Sequence, residues 1–444
     1  MKKKFLKILS LIFQVKKDSM FKLKSTIFSE DGKRISYDYF LDRSIAKFFN
    51  EKEPFYLLYD IDVSTVPQSI AVIPLLANVM PIAWFVGFDV YVDELDATFH
   101  DSLESLKAEF SIHFPEIKQS ATLHVKKLIN NSFTDTNSAL LFSGGLDAFE
   151  SLTRNIDKNP YLISVHGADI EIKDTKKWDD FKRFNLEEKI INKDRLCYVE
   201  SNLQTFYTYE VDLLVDVGWW GKIQHGMALL TIIAPLSYIY GITTTLIASS
   251  NTGEISFGWG STSETDEKVK WANQKVIHDG FHLRRTDKIE NIINFAKSTG
   301  NKVKLRVCYS ELRNGYNCNR CPKCQRTMFG FIISGENPEG YGFKIPADFY
   351  DLILKNFDNK AVMSVGVKYE WKCLQEKANT SVKPFNIKNE TAERAKFNTF
   401  AKLNLDAIIN KNQNKLQNQN KIKFIIISKF PGLFQMYLKI RRKF

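Results

Sequence analysis

Near residue 140 an apolar run, Ala139 to Phe142, leads into Ser143-Gly144-Gly145 and then into a helical pattern opening at about Asp147. A strand, a glycine turn and a helix start in that order aim backbone N–H groups and the positive end of the helix at one spot, which suits phosphate. Glycines let the backbone approach the oxygens, the Ser143 hydroxyl can donate to them, and Asp147 can hold Mg²⁺ bridging them. An ordinary strand–turn–helix corner uses the same turn residues without a ligand. An aspartate two residues past the second glycine favours the phosphate reading. No Gly-x-x-x-x-Gly-Lys-Ser/Thr occurs, so the Walker-type loop is not an alternative.

The second chemical cluster is cysteine. Cys318, Cys321 and Cys324 follow a C-x₂-C-x₂-C spacing, and Cys308 precedes them by ten residues. Four thiolates close a tetrahedral Zn²⁺ site with no open position, so such a metal is structural and staples the end of one domain over its site. The spacing also admits an iron–sulfur cluster or metal-free thiols. Cys197 and Cys373 stand alone and read as core. Six cysteines in 444 residues are too few for a disulfide scaffold, and their crowding implies metal in a reducing, cytoplasmic compartment.

Ser143-Gly144-Gly145-Leu146-Asp147-Ala148 resembles the Ser-Gly-Gly-x-Asp-Ser signature of the ATP pyrophosphatase (PP-loop) superfamily, departing from it at Ala148. Joined to Cys-x₉-Cys-x₂-Cys-x₂-Cys, with Arg326 and Met328-Phe329-Gly330 following, it resembles the 7-cyano-7-deazaguanine synthase family over roughly Asn137 to Gly342. The resemblance implies ATP cleavage between the α and β phosphates, transfer of AMP to a carboxylate, release of pyrophosphate and capture of the adenylate by ammonia. In that family a second ATP then converts the amide to a nitrile. Its relatives in antiphage operons look as if they attach a deazaguanine to a protein amine. The resemblance places ATP on Ser143, Gly144, Gly145, Leu146, Asp147 and Ala148, gives Ser143 and Asp147 the catalytic roles, and puts zinc on the four cysteines.

Elements must position these groups. Strand patterns at Ala139–Phe142, Tyr161–Val165, Leu196–Val199, Thr243–Ala248 and Val303–Val307 alternate with helical patterns at Asp147–Asn155, Trp178–Phe184, Gly226–Tyr240 and Asp287–Thr299. That alternation predicts an α/β fold with a parallel sheet and right-handed crossovers, its ligand at the carboxyl ends of the strands. His166 and Gly167 end the second strand, where base and ribose should lie. Ser249 and Ser250 end the fourth and should face the α-phosphate. Trp219, Trp220 and His225 offer either a stacking surface or core packing. The loop from Thr252 to Lys270, with Glu254, Asp266 and Glu267, reads as a lid or solvated loop, and Lys268, Lys270, Arg284, Arg285 and Lys288 are candidates to neutralise pyrophosphate.

The predicted organisation is a basic amphipathic helix over 1–24, an N-terminal α+β domain over 25–135 with strands at Tyr56–Asp60 and Trp84–Val92 and a helix at Asp96–Phe110, and a nucleotide domain with its zinc loop over 136–345. A helical extension (346–407), a polar linker (408–420) and a basic tail (421–444) follow. The net charge of +11 sits at the ends: 14 Lys/Arg against 3 Asp/Glu in 383–444, and 8 Lys against Asp18 alone in 1–24, which leaves an acidic body at −7. A nucleic-acid face on the body is therefore unsupported, and the basic, apolar ends suit a membrane surface or a protein partner, placing the protein in the cytoplasm or peripherally at a membrane. Lys7 interrupts the apolar start and no small-residue cleavage site follows, unlike a signal peptide. Two uncharged stretches, Val63–Phe88 and Ile223–Gly253, carry internal Pro or Gly and read as buried core.

The chemistry predicted is an adenylating ligase joining a small carboxylate to ammonia or an amine. The competing readings are a surface-polysaccharide amidotransferase, a tRNA-modifying enzyme and a nucleotide sensor in which Ala148 marks lost catalysis. No N-terminal cysteine nucleophile follows Met1 and no Gly-x-Ser-x-Gly elbow occurs, which removes an internal glutaminase and a serine hydrolase.

Overall fold

A computed structural model describes residues 19–407, apart from 119, 216–217, 256–257, 309–314, 358–362 and 389–390. Among the described residues ten strands form one sheet: β1 (Met20–Ser29), β2 (Arg34–Leu41), β3 (Tyr56–Tyr59), β4 (Asp89–Asp96), β5 (Leu123–Ile129), β6 (Asn137–Leu141), β7 (Tyr161–His166), β8 (Leu196–Ser201), β9 (Ile242–Ala248) and β10 (Lys275–Asp279). Their spatial order is β10-β9-β6-β7-β8-β3-β2-β1-β4-β5. The first five in that order run parallel, as do β1, β4 and β5, and the antiparallel pairings β8–β3, β3–β2 and β2–β1 join the two blocks.

The fold is thus α/β with a mostly parallel sheet, and the residues expected as an N-terminal α+β unit contribute half of that same sheet. One apolar core runs from Phe21 to Val276 across both blocks. Among the described residues the α-helices of seven residues or more are α1 (Ile73–Val86), α2 (Ala97–His113), α3 (Leu146–Arg154), α4 (Thr175–Glu187), α5 (His225–Thr231), α6 (Ala234–Tyr240), α7 (Arg285–Thr299), α8 (Pro322–Ile333), α9 (Phe349–Lys355), α10 (Val365–Thr380) and α11 (Thr391–Ala401).

Several expectations need correction. Val303–Val307 forms no strand; its backbone is spent on loops, with Leu305 N–H donating to Tyr341 O (3.0 Å) and Arg306 N–H to Gly144 O (2.8 Å). The outer parallel strand is β10 instead, beside β9. Trp84–Val86 is the last turn of α1, ended by left-handed Gly87, before β4 begins. Met20–Lys24 is strand, while the rest of the basic start, the 408–420 linker and the basic tail lie outside the described residues. The expected helix Gly226–Tyr240 breaks into α5 and α6 ahead of Pro235, whose missing N–H cannot continue the ladder.

The helical run Trp220–Tyr240 is long and apolar enough to cross a membrane by composition, but 72% of its most apolar window is packed inside the protein. Every residue of α1 is buried as well. A second core lies beneath the Ser143–Gly145 loop and takes in Leu140, Phe149, Leu305, Cys324, Phe329, Trp371 and Phe400, so α8, α10 and α11 are packed onto the sheet.

Gly167 shows how tightly the carboxyl edge is built. Its φ is +105°, and a Cβ there would sit 1.9 Å from the Ser201 carbonyl oxygen. Backbone cannot retreat as a side chain can, so Gly167→Ala should cost at least about 2 kcal/mol, read as a lower urea midpoint at unchanged slope.

Candidate functional site

Chain order through the parallel block makes a crevice. From β6 the chain steps outward through β7 to β8, then returns to lay β9 on the other flank of β6, so connections leave β6 and β9 in opposite directions. Ligands of open parallel sheets bind at such a switch point, outside the carboxyl ends. Here those ends are the Ser143 loop and Ser249-Ser250.

A cavity of about 150 Å³ occupies this place, lined by Ser143, Gly145, Leu146, Asp147, Ala148, Ala168, Asp169, Trp178, Phe181, His225, Ser250, Arg306 and Lys323 among others. It adjoins a cleft of about 1050 Å³ that shares Asp147, His225, Ile247, Ala248, Ser250 and Lys323 with it. The cleft extends past Trp259, Arg285, Arg320, Cys321, Arg326 and Lys355 to Glu370 and Trp371 on α10.

The loop turns at Gly144, whose φ is +71° and whose missing Cβ would press on the Phe184 ring at 2.8 Å. Gly145 then caps α3, and its N–H reaches Ser143 Oγ at 3.4 Å. The first-turn N–H groups of α3 have no intrahelical acceptor by geometry and point at the cavity end. Ala148, buried against the second core, brings no hydroxyl to this turn.

Asp147 is the electrostatic centre. Its Oδ1 accepts from Lys288 Nζ at 3.1 Å. Burial pushes its carboxyl upward, but the charges of Lys288, Arg285 and Lys323 outweigh that and hold it below the ordinary carboxylate range. It therefore stays ionised at neutral pH. Lys288 is itself almost fully buried and also donates to the Ser249 carbonyl.

Of the five cations expected at pyrophosphate, Arg285 and Lys288 reach the site. Lys268 pairs with Glu109 at 2.9 Å, Arg284 holds Glu254 through two contacts of 2.7 Å, and Lys270 is exposed in a loop that lines neither space. Glu254 is therefore spoken for. Asp266, expected in a lid, is buried and bonded to His278 Nδ1 (2.8 Å) and Ser261 (2.7 Å).

His166 does not face the cavity. Its Nδ1 meets Glu200 Oε2 at 3.0 Å, its Nε2 meets the Glu171 carbonyl at 3.1 Å, and its ring stacks on Trp178 at 4.7 Å. Gly167 is spent on close packing, and Ser249 is buried with its hydroxyl donating to Asn251 O at 2.5 Å. Ser250 does line both spaces. Trp219 is core, edge-on to Phe85 at 5.3 Å, whereas Trp220 packs against His225 at 5.3 Å.

The four cysteines meet as the spacing predicted. Their sulfur atoms all lie within 4.8 Å of one another, with Cys308–Cys321 at 3.8 Å, Cys318–Cys324 at 3.9 Å and Cys321–Cys324 at 3.5 Å. Four sulfurs about 2.3 Å from a central Zn²⁺ stand about 3.8 Å apart, so the set fits a tetrahedral ion and no pair is at disulfide distance. Crowding against the Cys308 sulfur pushes the Cys321 thiol up to about 11 and raises Cys324 as well. A divalent cation reverses that by turning all four into ligating thiolates. Asn317 braces the knuckle, donating to Leu305 O (2.7 Å) and Gly342 O (3.0 Å) and accepting from Val307 N–H (3.0 Å).

This knuckle also delivers the cations that sequence reasoning missed. Arg306, two residues before Cys308, ties its N–H to Gly144 O and its guanidinium to Ser143 O at 3.2 Å. Lys323 lies between Cys321 and Cys324 and lines both spaces. Their nearness to the cysteines in sequence was the available signal. Glu370 had none: it arrives on α10 to bond Arg326 Nε at 2.6 Å and face Arg285 at 3.7 Å.

No protein-family model, curated protein or solved structure matches this chain.

A metal at this knuckle has a direct readout. Wild-type protein should carry about one zinc per chain by elemental analysis, and Cys321→Ser should lose it together with several degrees of melting temperature. A metal-free wild type of unchanged stability would refute the assignment.

Proposed function

We propose that this protein is an ATP-dependent adenylating ligase of the PP-loop type, resembling 7-cyano-7-deazaguanine synthase, which activates a carboxylate as its acyl-adenylate for attack by ammonia or an amine. The observation that carries the reading is Asp147: a carboxylate kept ionised by Lys288, Arg285 and Lys323, at the mouth of a glycine loop and helix start, where a small cavity opens into a large cleft. The phosphates of ATP lie on Ser143-Gly144-Gly145 and the first turn of α3, and the rest of the nucleotide, larger than the cavity of about 150 Å³, extends toward the adjoining cleft.

In this reading the loop N–H groups, Lys288 and Arg285 take up the charge that grows on departing pyrophosphate. Mg²⁺ held at Asp147 would supply further neutralisation of the phosphates. The carboxylate lies in the cleft, drawn by Lys323, and its oxygen attacks the α-phosphorus in line with the leaving pyrophosphate. The amine then displaces AMP at the acyl carbon. At about 1050 Å³ the cleft is at the top of the range for small-molecule sites, roughly 300–1,000 Å³, so an amine carried on a larger molecule can sit beside the carboxylate.

Pyrophosphate and AMP release, assayed against a panel of carboxylates, tests this. Asp147→Ala should reduce release to background while the fold persists. Undiminished turnover in that variant would remove Asp147, and the loop assignment with it.

A further inference from the structure

Six of the described residues line both the cavity and the cleft, and the α-phosphorus must be attacked where these spaces meet. Ile247 and Ala248 are apolar, Asp147 and Lys323 are ionised groups of the phosphate site, and Ser250 is a hydroxyl. The sixth is His225, and it has features that a core histidine lacks.

Its Nδ1 is buried with no hydrogen-bond partner among the described residues. Trp220 and Trp259 flank the ring at 5.3 and 5.9 Å, and the preceding turn, Trp220–Gln224, is π-helical, a local widening that often marks functional sites. The backbone is pinned directly behind it, Gly226 N–H donating to Gly260 O at 2.8 Å. Burial pushes the imidazolium form down, against the pull of the Asp169 and Asp266 carboxylates, so the ring is held neutral.

A neutral imidazole carries one proton. An orphaned buried N–H is rarer than an orphaned acceptor, which puts the bare lone pair on Nδ1 and the proton on Nε2. Resting on the ligase reading above, we propose that His225 is a catalytic hydrogen-bond donor whose Nε2–H binds an α-phosphoryl oxygen of ATP and the adenylate, stabilising charge there as the carboxylate attacks. It transfers no proton. The acyl oxygen–phosphorus bond forms, the α–β bridging bond breaks, and pyrophosphate leaves with the electron pair.

Glutamine places its amide N–H near the position of Nε2, whereas asparagine reaches only that of Nδ1. With α,β-methylene-ATP as the binding probe, His225→Leu should bind about five-fold more weakly, and its carboxylate-driven pyrophosphate release should fall about 100-fold. His225→Asn should match His225→Leu, and His225→Gln should stay within a few-fold of wild type in both measurements. A folded His225→Gln as impaired as His225→Leu overturns the proposal, as does an unimpaired His225→Leu. Should these variants fail to fold, ¹⁵N spectra of the wild-type ring decide: a proton on Nε2 and a bare Nδ1 support the assignment, and a proton on Nδ1 overturns it. Wild type that binds the analogue yet releases no pyrophosphate with any carboxylate removes the ligase reading alone, because the Leu–Gln contrast in binding and the ring tautomer still decide the role of His225.

Discussion

The hydrogen bond from Arg306 N–H to Gly144 O, 2.8 Å long, joins the glycine turn after β6 to the strap that leads into the cysteine knuckle. One end is the left-handed turn at Gly144. The other belongs to a segment that enters the cysteine knuckle two residues later. Because the segment 303–308 spends its backbone on loops rather than on a sixth parallel strand, the cysteine cluster is tied to the glycine loop itself and not to the edge of the sheet. A closed four-cysteine site does no chemistry, yet it fixes where Arg306 and Lys323 stand.

The concentration of positive charge around one carboxylate is costly to assemble. Lys288 and Arg285 are buried, and each is matched: Lys288 by Asp147 and the Ser249 carbonyl, Arg285 by Thr327 and Glu370. Removing one member of such a set leaves a buried charge without a partner, which costs more than the pair contributes. The C-terminal helices belong to this balance through Glu370, so the extension past residue 345 is a wall of the site as well as a cover for Phe329 and Trp371.

The loop and the knuckle were legible because their information is local: a glycine that must adopt positive φ, an aspartate at a fixed offset, four thiols at ligand spacing. The parallel strands β6 to β9 were legible for a similar reason, since each is a short apolar run between helical patterns. What failed depended on distant partners. His166 sits at a strand end as a ligand would, but Glu200 on the neighbouring strand claims its ring. Asp266 reads as a loop charge until His278, on β10, is seen to bind it. β10 itself, Lys275–Asp279, is too polar to announce itself, and Val303–Val307 is apolar enough to imitate a strand while serving as a strap.

The pairing of β3 with β8 has a consequence for how this chain can be divided. Leu57, Leu58 and Tyr59 face Ser201, Glu200 and Val199, which makes β8 an interior strand. Any fragment starting at residue 136 would leave the outer rung of β8 with unpaired N–H and C=O groups, the template on which foreign strands polymerise. The boundary visible in the sequence is therefore not a boundary of the sheet: the half that begins at β6 borrows its margin from β3, and the two halves fold as one sheet.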